Sequence, residues 1–124
     1  DAARPLATTA DLNQLIKALK SNAVGGLWAR PVSDTVKRVV DNNVIETIPR
    51  EELYTAQTPQ MFRYGRLVSA LQESTKREDS ITDEASAIEL MGWPVETVIG
   101  PIYNLKITLA EDLALAEYYL EQQS

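Results

Sequence analysis

The sequence contains no cysteine and no histidine. It can therefore form no disulfide, offers no thiolate nucleophile or imidazole base, and lacks the ligands of ordinary zinc sites. No apolar run approaches the ~18–20 residues that a membrane-spanning helix needs, and no signal-peptide pattern opens the chain, so a soluble, cytoplasmic protein is expected. Positive charge is scarce: 12 Lys and Arg against 18 Asp and Glu leave a net charge of −6. The summed field repels polyphosphate and anionic surfaces, which argues against non-specific binding to nucleic acid or membrane. Any phosphate-bearing partner must be met by local groups. Glycine-rich phosphate loops are missing too, since Gly25-Gly26 does not form one and no GxGxxG or Walker pattern occurs. Chemistry is left to carboxylates, Lys, Arg, Thr, Tyr and backbone amides.

What is present suffices for one domain or a large piece of one: 124 residues, 44% of them hydrophobic. Thr8-Thr-Ala-Asp11 has the form of a capping box, and Leu12, Leu15, Ile16 and Leu19 follow at helical spacing, which predicts a helix ending near Asn22 with these residues on one buried face. Val24 to Val32 reads as a buried strand whose Gly25-Gly26 pair predicts close backbone approach. Val36, Val39 and Val40, then Asp41-Asn42-Asn43, then Val44, Ile45 and Ile48 fit a hairpin. A lone two-stranded hairpin is marginal in water, so this arm, placed at 33–58, is expected to pack on something else, a second subunit being the natural candidate. A helix from Arg63 to Arg77 is predicted to carry Tyr64, Leu67, Val68 and Leu71 on one apolar face. Ser80-Ile-Thr-Asp83 and Thr108-Leu-Ala-Glu111 read as two further capping boxes, opening helices over Glu84–Met91 and Leu109–Glu121, with a short strand at Val95–Ile99 between them. Strands alternating with helices predict an α/β layer structure with a mainly parallel sheet.

From Glu78 onward Lys106 is the only cation. It reads either as a surface lysine among acidic neighbours or as an anion-binding group where a loop feeds a helix start. Asp1 and Arg4, before Pro5, read as a surface turn, or as a carboxylate for a hydroxyl or metal-bound water beside a guanidinium for phosphate. Thr82, Asp83 and Glu84 are accounted for by a helix start, with Thr82 free to serve a ligand as well. On the arm, Thr35, Lys37, Arg38, Arg50 and Thr58 are hydroxyl and cationic groups of the kind that bind a phosphate monoester, and equally ordinary solvated strand residues. Thr58 is held extended by the proline that follows it. The aromatics Trp28, Tyr54, Phe62, Tyr64, Trp93, Tyr118 and Tyr119 read as core or half-buried packing.

Five strings occur in a fixed order: Asp1-Ala-Ala-Arg-Pro5, Pro31-Val-Ser-Asp-Thr-Val-Lys-Arg38, Gln57-Thr-Pro-Gln-Met-Phe62, Thr82-Asp-Glu-Ala-Ser-Ala-Ile-Glu89 and Asn104-Leu-Lys-Ile-Thr108. Together they resemble the C-terminal half of the 2-C-methyl-D-erythritol 4-phosphate cytidylyltransferases, enzymes of non-mevalonate isoprenoid synthesis. The resemblance implies a three-layer Rossmann-like nucleotidyltransferase fold, and a homodimer in which the hairpin arm reaches the neighbour's active site. It implies the substrates CTP and methylerythritol phosphate, with Mg²⁺ present. By motif, Arg50 and Lys106 would position the attacking phosphate, Lys106 also lying close to the α-phosphate of CTP. Thr35 and Thr58 would hold substrate from the arm side, and Asp1, Ala2, Arg4 and Thr82 would line the methylerythritol and nucleotide site. No resident metal ligand is implied among these residues. The family's glycine-rich triphosphate loop is not in this sequence, and the opening reads as a loop after a strand that is not there. The chain is thus expected to be the C-terminal part of one cytidylyltransferase domain, inactive alone. Leu109-Ala110 and Gly100-Pro-Ile-Tyr103 depart from the family pattern at positions of packing rather than chemistry. Ribitol-5-phosphate cytidylyltransferase shares several strings, and Ile48-Pro49-Arg50 and Tyr103-Asn104 lean that way. Asp1–Pro5, Thr35–Arg38 and Thr82–Ala87 lean to methylerythritol phosphate. A third reading is a non-catalytic piece that keeps only arm-mediated dimerisation.

Overall fold

A computed structural model describes residues 3–77 and 81–123. Asp1, Ala2 and Ser80, to which the sequence assigns site and capping roles, lie outside them. The elements in order are α1 (Thr9–Ala18), β1 (Gly25–Pro31), β2 (Val36–Val40), β3 (Asn43–Ile48), β4 (Tyr54–Phe62), α2 (Tyr64–Arg77), α3 (Glu84–Leu90), β5 (Glu96–Ile99) and α4 (Ala110–Gln123). No helix among the described residues is long and apolar enough to cross a membrane.

The central sheet is mixed, in the order β4-β1-β5, with β1 antiparallel to β4 and parallel to β5. Side chains of successive strand residues point to opposite faces, and β1 uses both. Trp28 packs with Leu15 and Leu19 of the α1 region, while Leu27 and Ala29 pack with Ala85 of α3. A further cluster, Val24, Ala70, Ala87 and Ile88, seals α2 and α3 to that second face. Helices therefore cover the sheet on both sides, the expected α/β layering. Close approach at the start of β1 is enforced by its glycines. Gly25 holds φ +132, and a Cβ there would collide with the Met61 carbonyl; one on Gly26 would collide with that of Glu96.

Local signals hold where they are self-contained. The α1 capping box forms in full: Asp11 N–H donates to Thr8 Oγ1 at 3.1 Å and Thr8 N–H to Asp11 Oδ2 at 2.9 Å. Tyr103 also donates to Asp11 Oδ2, at 2.5 Å, tying the loop after β5 to α1. Burial works against the ionised Asp11, yet the bonds from Tyr103 and Thr8 outweigh it and hold the carboxyl below its ordinary pKa; the same bond, with burial, pushes the Tyr103 phenol up. The hairpin turns on Asp41 (φ 50) and Asn42 (φ 64), the left-handed pair that a two-residue turn matching strand twist requires. Among the described residues its strands pair only with each other. Val39, Val40, Val44 and Ile45 are exposed along it. From Tyr54 onward the chain has entered β4 of the main sheet.

Three expectations are corrected. In α2 the buried positions are Ala70 and Ser74, while Leu71 is exposed and Tyr64 is 83% exposed. Two helices in close contact favour small side chains at the seam, and Ser74 satisfies its hydroxyl by donating to the Ala70 carbonyl at 2.9 Å. In α1, Leu15 and Leu19 face the core and Ile16 is exposed. At α4 the cap comes from Asp112, not Glu111: its Oδ2 accepts from the N–H groups of Thr108 and Leu109 at 3.0 and 2.9 Å. Those bonds hold the Asp112 carboxyl below its ordinary pKa.

Candidate functional site

The site is organised by an irregularity in β4. Leu27 pairs with Gln60 and Ala29 with Ala56, so Trp28 alone stands opposite Gln57, Thr58 and Pro59. Such bulges re-aim side chains near binding sites. The Thr58–Pro59 bond is cis.

Gln57 is buried on the Trp28 side, and its Oε1 accepts from Asn104 Nδ2 at 3.2 Å. Room for that amide exists because residue 100 is glycine: a Cβ there would collide with Gln57 Oε1 and come within 2.9 Å of Trp28 Cβ. Asn104, 0% exposed, also donates from Nδ2 to the Thr58 carbonyl at 2.8 Å. Its Oδ1 has no hydrogen-bond partner among the described residues. The Asn104 carbonyl in turn accepts from Arg4 Nη1 at 2.8 Å, and Ile107 N–H donates to the Ala3 carbonyl at 2.8 Å. The opening loop, the β4 bulge and the 104–107 segment thus meet at one place. Arg4, Pro5, Ala7, Leu12, Thr58 and Pro59 line a cavity of ≈250 Å³ there. Burial pulls the Arg4 pKa below its ordinary value, and the guanidinium stays cationic at neutral pH. Lys106 is exposed, between the two anchored residues Asn104 and Ile107.

The other end of the bulge clasps α3. Gln60 donates from Nε2 to Asp83 Oδ2 at 2.8 Å and accepts from Ala85 N–H at 3.0 Å. Asp83 is the N-cap, accepting from Ser86 N–H at 2.8 Å. Burial opposes its charge, but the bonds from Gln60 and Ser86 outweigh that and hold its carboxyl below its ordinary pKa. Thr82, beside it, is exposed, its Oγ1 2.8 Å from Ser86 Oγ.

The structure therefore gathers Arg4, Thr58 and the Lys106 segment, and holds Thr82 at the helix clasped by the same strand. Thr35 and Arg50 stand apart at the base of the hairpin, both exposed. Arg50 Nη1 donates to the Ser33 carbonyl, and Val32 N–H donates to the Leu53 carbonyl at 3.0 Å, closing the base. Sequence reasoning missed the roles of Gln57, Gln60, Gly100 and Asn104. Uncharged amides and a glycine give no charge signal, although all three amides lie inside the strings that carry the resemblance. Among the described residues no group of three or more His, Cys, Asp or Glu could hold a metal ion.

The model of the IspD family, 2-C-methyl-D-erythritol 4-phosphate cytidylyltransferase, matches residues 1–122. The chain is 46% identical over 124 residues to the cytidylyltransferase of that name from Vibrio parahaemolyticus, covering 99% of this chain and 53% of the relative. It is 51% identical over 121 residues to that of Chromobacterium violaceum, covering 97% and 53%. The Francisella tularensis crystal structure of that name superimposes with a TM-score of 0.87 at 35% identity, over 96% of this chain and 56% of that one. The Thermus thermophilus structure gives 0.87 at 28% identity, over 98% and 59%. The chain spans about half the length of the curated relatives it matches. With its strings in order, its hairpin between two sheet strands and this match along nearly its whole length, the chain belongs to the 2-C-methyl-D-erythritol 4-phosphate cytidylyltransferase family.

Proposed function

We propose that this chain supplies the acceptor side of a cytidylyltransferase, and that the whole enzyme joins CTP to 2-C-methyl-D-erythritol 4-phosphate. A phosphate oxygen of the acceptor attacks the α-phosphorus of CTP. The new P–O bond forms as the bond to the β-phosphate breaks, giving 4-diphosphocytidyl-2-C-methyl-D-erythritol and pyrophosphate. The observation that carries this reading is the hydrogen-bonded meeting of the opening loop, Thr58 and the Lys106 segment, beside a small cavity lined by Arg4 and Thr58, in a chain whose overall charge would otherwise repel phosphate. Arg4 and Lys106 neutralise the acceptor phosphate and the charge that grows on the α-phosphate, while Thr58 and Thr82 fix hydroxyl and phosphate oxygens. Asp1 and Ala2, outside the described residues, are assigned to the acceptor and nucleotide site by the family resemblance alone.

Thr35 and Arg50 reach a site only across a subunit boundary in this reading: the hairpin, with its exposed valines, docks on a second copy and delivers Arg50 to the neighbour's acceptor phosphate. Mg²⁺ would enter with the CTP phosphates in this reading, and the share of the described residues is cationic and hydroxyl groups. No glycine-rich triphosphate loop lies in this sequence, and the chain by itself is inactive in this proposal. The relatives' name supports methylerythritol phosphate over ribitol 5-phosphate as the acceptor.

The test is kinetic, in the whole enzyme. Arg50→Ala and Lys106→Ala should each lower kcat/KM on the order of 10²–10³-fold, as removal of a transition-state donor does, with unchanged circular dichroism. Mixed after subunit exchange, the two variants should regain activity that neither has alone, because one site of the heterodimer then carries both intact groups. Wild-type-like kinetics in either variant, or preferential turnover of ribitol 5-phosphate, would overturn the assignment.

A further inference from the structure

Asn104 is fully buried, and a buried amide is unfavourable unless its groups are paired. Both of its side-chain bonds go to β4, to Gln57 Oε1 and the Thr58 carbonyl, 47 and 46 residues away in sequence. Its own carbonyl takes the Arg4 guanidinium, 100 residues away. Two residues on, Lys106 is exposed, and the next residue, Ile107, bonds back to Ala3. The planar amide thus sets one strand at a fixed distance and angle from the segment that carries Lys106, while the Arg4 bond and the Ile107 bond set the opening loop against that same segment. An apolar side chain of equal size would fill the space and leave the backbone bonds to Arg4 and Ala3 in place, but would lose both ties that register this segment against β4.

We propose that Asn104 is a positioning residue for the transfer site. It touches no substrate; it holds Arg4, Thr58 and Lys106 in one mutual arrangement, so that the acceptor phosphate meets all three together. Gln57 orients the Asn104 amide, and Gly100 leaves the space that Gln57 needs. The inference rests on the acceptor-side reading above. It makes a demand that a merely structural role does not: the loss should fall on the phosphorylated polyol and spare CTP.

In the whole enzyme, Asn104→Leu keeps the volume and removes the donors. KM for methylerythritol phosphate should rise on the order of 10- to 100-fold, the scale of small misplacements in a positioned site, with KM for CTP unchanged. Combined with Arg4→Ala the effects should be clearly less than multiplicative, as for residues acting in one network. Should Asn104→Leu fail to fold, the Gln57 pair decides: Gln57→Met should raise KM for the acceptor, and Gln57→Glu, which keeps an acceptor oxygen for Asn104 Nδ2, should restore it towards wild type. Equal rises in both KM values, or an unchanged acceptor KM in folded Asn104→Leu or Gln57→Met, would overturn the proposal. Arg4→Ala and Lys106→Ala separate the two levels. If neither raises the acceptor KM, the acceptor-side reading fails and the proposal falls with it; if they do, the Asn104 and Gln57 results judge the positioning role alone.

Discussion

Gly100→Ala tests the packing beneath the site with a single methyl group. The new Cβ would overlap Gln57 Oε1 and stand 2.9 Å from Trp28 Cβ and 3.1 Å from Trp28 Cγ. The tip of Gln57 can swing away, which removes its bond to Asn104; Trp28, 2% exposed at the centre of its cluster, cannot move freely. Overpacking of a filled core costs about 1–3 kcal/mol, and leaving a buried amide donor short of a partner costs about 1–3 kcal/mol. Because Gln57 can yield, the lower parts of both ranges apply, for a total of roughly 2–4 kcal/mol. In a protein of 150–250 residues each kcal/mol is worth about 2–4 °C, so the melting temperature of the whole enzyme should fall by roughly 4–16 °C. Gly65→Ala is the control: nothing lies within 4 Å of a Cβ there, and the residue is in the first turn of α2. Alanine in place of a helical glycine should be neutral or stabilising by up to about 1 kcal/mol. Thermal and urea denaturation of the three proteins, followed by circular dichroism, decide the matter. A Gly100→Ala melting point at or above wild type would refute the packing argument. A fall in stability without any rise in the acceptor KM would leave the packing argument standing and refute the link from Gln57 to the site.

Acid sensitivity should reside partly in Asp83. Its folded pKa lies below the unfolded value of about 3.9, so the unfolded state binds the proton more readily between the two. Its contribution is present above that value and is lost as pH falls through the lower folded pKa. Asp83→Asn can still accept from Ser86 N–H but does not titrate, so the acid limb of stability against pH should flatten in urea melts from pH 5 to 2.5; an unchanged limb would contradict this. Val44, 60% exposed on the hairpin, should resist replacement by Lys if the arm docks on a second copy. Forfeiting a buried valine at each of the two symmetric contacts, about 3–6 kcal/mol in all, should weaken the dimer on the order of 10²- to 10⁴-fold by sedimentation, and an unaltered association constant would count against arm-mediated dimerisation.

The elements legible in the sequence are those whose cause is local. The Thr8–Asp11 capping box forms within four residues, and the Asp41-Asn42 turn needs only two left-handed positions, so each appears where the pattern places it. The Gly25-Gly26 pair was legible as close approach because nothing but a missing Cβ explains two glycines in an otherwise apolar strand. The burial of α2 was not: the pattern singled out its largest apolar residues, whereas contact with α3 selected Ala70 and Ser74. The strand character of Gln57-Thr-Pro-Gln60 was hidden as well, because a polar, proline-containing segment has no strand periodicity.

The layered α/β class, the hairpin, the scarcity of cations that makes Lys106 conspicuous and the ordered strings that mark the family are all written in the order of residues along the chain. These are properties of composition and of short spacings, which a chain carries whatever its fold. It takes the folded chain to bring Arg4, Thr58 and Asn104 to one junction, to set Gln57 and Gln60 on opposite sides of it, and to hold Arg50 and Thr35 away from it on their own hairpin. Those relations join residues up to 100 apart in the chain. They depend on how β4 bulges past Trp28 and on a glycine that leaves room for an amide, and no local pattern of residue types encodes either.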